Sequence, residues 1–157
     1  MKKLFRERLS KQHQPLELNY LASMGILPMR MMGGLGLIMH GLPKLQHATT
    51  WMNGTGLGTA PGFLQALAAG IEVFGGFCWL AGLLTPYASL AIFAVMSAGV
   101  WRRLQNGEQF VTTAGAATGS NDSFELAALY ICICLLMLTT GPGRFSLDAR
   151  LFGHRRH

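Results

Sequence analysis

Residues 64–84 read LQALAAGIEVFGGFCWLAGLL, an apolar and small-residue run interrupted by a single carboxylate, Glu72. At 1.5 Å per residue such a helix crosses the roughly 30 Å of hydrocarbon in a bilayer. A charge inside it costs a few kcal/mol or more unless it faces a partner or a wet cavity. The stretch therefore predicts a membrane helix, and Glu72 predicts a buried counterpart.

The rest of the chain agrees with that solvent. Half of its 157 residues are hydrophobic and only 13% are charged, about half the charge of a soluble domain. The apolar residues gather in long runs and do not form a 3.6-residue stripe, which counts against a soluble helical core. The net charge of +6 does not indicate nucleic acid, because its distribution is terminal. Lys2, Lys3, Arg6, Arg8 and Lys11 crowd one end and Arg144, Arg150, Arg155 and Arg156 the other, the layout of cytoplasmic ends under the positive-inside rule. The apolar run contains Arg30 and begins only near Leu21, so a retained first span is expected and not a cleaved signal.

Outward from the opening stretch, the predicted architecture is an all-α, four-helix transmembrane bundle with both termini cytoplasmic. A basic segment, 1–19, is expected at the membrane interface or as a tail. Spans follow at about 20–42, 64–84, 86–101 and 123–140, and a basic tail at 142–157. Pro28 is tolerated in a span where neighbours satisfy the freed carbonyl, and Gly33, Gly34 and Gly36 offer a close-packing surface. Thr85, Pro86 and Tyr87 read as the turn of an antiparallel hairpin. Asp122 or Ser123 is the expected cap of the fourth span, and Glu125 in its first turn favours the helix dipole.

The glycines of the loop at 43–63 do not form a phosphate cradle, since no Lys-Ser/Thr follows and no strand precedes them. Cys78, Cys132 and Cys134 lie in apolar runs and read as small buried hydrophobes. Cys132 and Cys134 stand about 200° apart around a helix, which suits neither one metal nor a bridge.

Two polar groups stand out. Counted from the cytoplasmic ends of their spans, Arg30 lies roughly 14 Å deep and Glu72 roughly 18 Å deep. That near equality predicts an ion pair between them near the midplane, either fixing helix register or lining a substrate or proton route. His40, Lys44, Glu125, Arg102 and Arg103 are expected near the opposite interface. A basic pocket with one imidazole suits an anion, or a quinone that takes up protons on reduction. Haem ligation would need a second histidine at comparable depth in a span, and no such residue is present.

Taken in order, RMMGGLGLIMHGLPKL at 30–45, IEVFGGFCWLAGLLT at 71–85, FELAALY at 124–130 and GPGRFSLD at 141–148 give the chain a resemblance to the DoxX family of small four-span membrane proteins. Pro86 stands where members of that family often carry a basic residue. The resemblance implies the four-span fold. For some branches it also implies a membrane oxidoreductase component, including a subunit of thiosulfate:quinone oxidoreductase, while many members have no assigned activity.

Three functions follow as expectations. The first is a quinone-linked redox component in a bacterial inner membrane, with His40, Glu72 and Glu125 as the catalytic set and Arg30, Lys44, Arg102 and Arg103 binding substrate. It would take quinone as co-substrate, bind no metal or covalent cofactor, and draw electrons from a small reductant such as thiosulfate or from a partner subunit. The second is a non-catalytic scaffold or assembly factor. The third is a small transporter, which four spans without an internal repeat fit least unless the chain oligomerises.

Overall fold

In the computed structural model, residues 20–53, 60–111 and 123–152 are described. The interfacial reading of 1–19, most of the glycine loop, the Asp122 cap and the end of the basic tail fall outside those residues. Four long helices make up the described chain: α1 (Tyr20–Gln46), α2 (Gly62–Ala81), α3 (Thr85–Gln105) and α4 (Glu125–Thr140), followed by a short α5 (Leu147–Phe152). No strand forms among the described residues; Gln109 and Ser123 make one isolated bridge at the α3–α4 connection. Both α1 and α2 are long and apolar enough to cross a membrane, and α4 is a shorter apolar helix.

The boundaries differ from the expected spans for local reasons. The first helix runs through Pro43, which lies in its last turn and so disturbs few ladder bonds. The α2–α3 turn is Gly82–Leu84, and Pro86 opens α3, where its missing N–H costs nothing. Ser123 does not cap α4. Its N-cap is Phe124, with no side-chain cap bond, while Glu125 does occupy the first turn.

Glycine sets the closest contact. A Cβ on Gly34 would lie 2.7 Å from the Gly76 carbonyl oxygen, and one on Gly76 would lie 2.6 Å from that of Gly34. The α1 and α2 backbones therefore touch, which is how membrane helices associate when burial of apolar surface gives no net drive. Gly41 packs on Glu72 and Val73 in the same register.

Trp79, fully buried, ties three helices to α2. Its ring lies against Gly33 of α1, its Nε1–H donates to Ser89 Oγ of α3 at 3.0 Å, and it faces the Tyr130 ring of α4 at 6.4 Å. Around it Ile26, Leu37, Ile92, Cys134 and Met137 complete the core. The first and fourth helices approach only narrowly, where the Tyr130 hydroxyl donates to the Gly33 carbonyl at 3.3 Å. Of the three cysteines, Cys134 is buried, Cys78 is half-buried and Cys132 is exposed, so the buried reading fails for Cys132. It lies on the outer face of α4.

The same register separates Arg30 from Glu72. Gly34 opposite Gly76 and Gly41 opposite Glu72 place Arg30 beside the end of α2, about ten residues and hence about 15 Å from Glu72. Equal depth requires the start of α1 to be level with the end of α2, but with Gly34 opposite Gly76 α1 begins more than two turns beyond the end of α2. Its overhang packs on the C-terminal segment instead: Tyr20 meets the Phe145 ring edge-on at 5.4 Å, and Ser23 Oγ accepts from Arg144 N–H.

Candidate functional site at the Lys44–Glu72 pole

The bundle has two polar ends. At the end where the described termini meet, the Arg30 guanidinium is buried among backbone carbonyls. It donates to Trp79 O at 2.7 Å, Phe145 O at 3.1 Å, Leu80 O at 3.5 Å and Pro142 O. A cation on the last carbonyls of α2 is where the helix dipole favours it. Gly82, at φ 65°, leaves the room this needs, since a Cβ there would lie 2.8 Å from the guanidinium carbon.

Asp148 completes the arrangement with opposite sign at the start of α3. Its carboxylate accepts from Leu84 N–H at 2.8 Å and Thr85 N–H at 2.9 Å, while its own N–H donates to Gly82 O at 2.9 Å. Leu84 holds a left-handed φ of 50°, a conformation costing about 1–2 kcal/mol in a residue with a Cβ. The two bonds from Asp148 hold it there. The Arg30 guanidinium is thus engaged by backbone carbonyls of the chain itself.

At the opposite pole, Glu72 pairs with Lys44. The Lys44 Nζ lies 2.6 Å from Oε1 and 2.7 Å from Oε2, and 4.9 Å from the centre of the Trp51 ring. The Glu72 side chain is 4% exposed and that of Lys44 is 29% exposed. An ammonium has three N–H donors, and the two oxygens of Glu72 leave capacity for a further acceptor from the open side. Gln65 fixes the surrounding backbone: its side chain accepts from Met52 N–H at 3.0 Å and donates to Ala60 O at 2.8 Å, and its carbonyl accepts from Trp51 Nε1–H at 3.0 Å.

The other expected site residues stand at this pole without joining the pair. His40 is exposed, one residue before the glycine that packs on Glu72, and no hydrogen bond links it to Glu72 or Lys44 among the described residues. Glu125 is partly buried in the first turn of α4. Arg102 and Arg103 occupy the last turn of α3, where Arg103 pairs with Glu108 at 2.6 Å. No group of three or more His, Cys, Asp or Glu side chains among the described residues is placed to hold a metal ion.

Depth counting along the sequence gives Glu72 to Arg30 and leaves Lys44 at the interface, whereas the structure pairs Glu72 with Lys44. Trp51 and Gln65 lie in no motif, and Tyr130 ends FELAALY without any local sign that its hydroxyl reaches Gly33. Asp148 lay inside GPGRFSLD, yet nothing in its sequence neighbourhood tells which turn it clasps.

An all-helical bundle with two membrane-length apolar helices, packed glycine to glycine and pinned at each end by a buried charge, defines a helical membrane protein. Residues 25–102 match the DoxX family model, and the chain belongs to the DoxX family. No curated protein and no solved structure matches it.

Proposed function

We propose that this membrane protein is the quinone-reactive component of an oxidoreductase acting on a small reductant, with the quinone headgroup received at the Lys44–Glu72 pole. The observation that carries the reading is the ion pair itself, a buried carboxylate held by a lysine that remains partly exposed. Two thiosulfate ions joining as tetrathionate release two electrons; a quinone that accepts them takes up two protons and leaves as quinol. Lys44 donates a hydrogen bond to the quinone oxygen on which charge develops, and Glu72 holds the ammonium in position. His40, on the exposed side of the same helix, is the proton donor nearest solvent in this reading. All four long helices cross the membrane, a bacterial inner membrane, with the termini in the cytoplasm.

The test is reduction of a ubiquinone analogue by the protein in membranes with thiosulfate, comparing wild type with Lys44→Met, Glu72→Gln and His40→Ala. Loss of general acid–base and electrostatic assistance lowers turnover about 100-fold or more in the first two variants. Undiminished turnover in both would remove the pole from the mechanism.

A second reading, a non-catalytic scaffold, draws on the way both buried charged side chains among the described residues are engaged by the chain itself, Arg30 by carbonyls and Glu72 by Lys44. It predicts a partner protein retained through purification in gentle detergent, and no turnover with or without that partner.

A further inference from the structure

We propose that the C-terminal segment from Arg144 to Leu151 is a docking site for anionic phospholipid headgroups at the membrane surface where α2 turns into α3. The argument begins with how the segment is held. Asp148 and Ser146 face inward: Asp148 binds the Gly82–Thr85 turn, and Ser146 is buried, donating to Gly143 O at 2.7 Å and accepting from Ala149 N–H at 3.1 Å. The segment is therefore fixed against the end of the bundle, at the level where the apolar length of α2 runs out.

What faces outward is of two kinds. Phe145, Leu147 and Leu151 are exposed, Leu151 to 61%, and Tyr20 stands beside Phe145. Arg144 and Arg150 are exposed among them, and among the described residues their hydrogen bonds are those of the backbone N–H groups, to Ser23 Oγ and the Ser146 carbonyl. Apolar side chains that enter the acyl boundary, interleaved with guanidinium groups at headgroup level, form a surface complementary to a leaflet carrying negative charge. Guanidinium groups bind phosphate oxygens in pairs, which favours a phosphodiester as the occupant. The only acidic residue of the segment, Asp148, is turned inward and does not oppose this charge.

The same geometry gives the lipid an effect on the fold. Carbonyls of Pro142 and Phe145 hold Arg30, and Asp148 holds the start of α3. An anionic lipid that binds Arg144 and Arg150 therefore stabilises the closure of α2 onto α3, and not merely the tail.

The experiment reconstitutes the full chain in nanodiscs of phosphatidylcholine alone or with phosphatidylglycerol, and follows thermal unfolding by tryptophan fluorescence. Wild type gains several degrees with phosphatidylglycerol; Arg144→Gln/Arg150→Gln loses at least half of that gain, and Arg144→Lys/Arg150→Lys keeps most of it. Both arginines are exposed, so the glutamine variant should fold in phosphatidylcholine as wild type does. Should it fail to fold, retention of phosphatidylglycerol over phosphatidylcholine by single-site Arg150→Gln in native mass spectrometry decides instead, with reduced retention expected. No gain in wild type, an equal gain in the glutamine variant, or unchanged retention in Arg150→Gln would overturn the assignment.

Discussion

Glu72 and Arg30 are both buried charges, but their surroundings differ enough to predict different responses to mutation. Lys44→Ala leaves the Glu72 carboxylate without its cation and should destabilise the protein by about 3–5 kcal/mol, whereas Lys44→Met/Glu72→Met removes both charges and should recover much of that loss. Reversible unfolding in mild detergent measures both; a double variant as unstable as the single one would show that the pair is net stabilising in itself. Arg30 contributes differently, because its planar fork meets carbonyls in several directions. Arg30→Lys keeps the charge yet loses those directions, so it should cost nearly as much as Arg30→Gln. A cycle between Arg30→Gln and Glu72→Gln tests the register directly: at about 15 Å apart the two should be additive to within about 0.5 kcal/mol. Measurable coupling would restore the midplane pair that the spacing of the sequence alone suggested.

The helices show which features could be read from the sequence and which could not. Length and apolar content make α1 and α2 legible, since a charge-poor run of that length has few other solutions. Their ends were less legible. Pro43 is a helix breaker by its chemistry, but the Lys44–Glu72 bond lies one residue beyond it, and that bond belongs to the fold and not to the local sequence. The partners of Glu72 and Asp148 depend on helix offset, which no spacing within one helix encodes. The glycine contact is more local in origin, since GG at 33–34 and GG at 75–76 stand on apolar helices where nothing but close packing needs them. Gly76→Leu should therefore force α1 and α2 apart, with a loss of several kcal/mol from overpacking two backbones in contact, while Gly70→Ala, with open space around it, should be neutral or slightly stabilising. Equal thermal stability of the two variants would contradict the close approach.

As a whole the molecule is a chain of hairpins, α1 on α2, α2 on α3 and α3 on α4, closed by a narrow seam between α4 and α1. The described hydrogen bond across that seam runs from the Tyr130 hydroxyl to the Gly33 carbonyl, and Trp79 lies directly behind it. A long bond between neutral groups contributes about 0.5–1.5 kcal/mol, so Tyr130→Phe should lower global stability by no more than that. Its larger effect should be on opening of the seam, because the first and last helices have little else to hold them together there. In a protein carrying Trp51→Phe and Trp101→Phe, Trp79 is the remaining indole, and quenching by brominated lipid reports how often acyl chains reach it. Tyr130→Phe should raise that quenching with little change in unfolding temperature. Unchanged quenching would place the closure in the ring packing of Tyr130 on Trp79, with the hydroxyl a minor contributor.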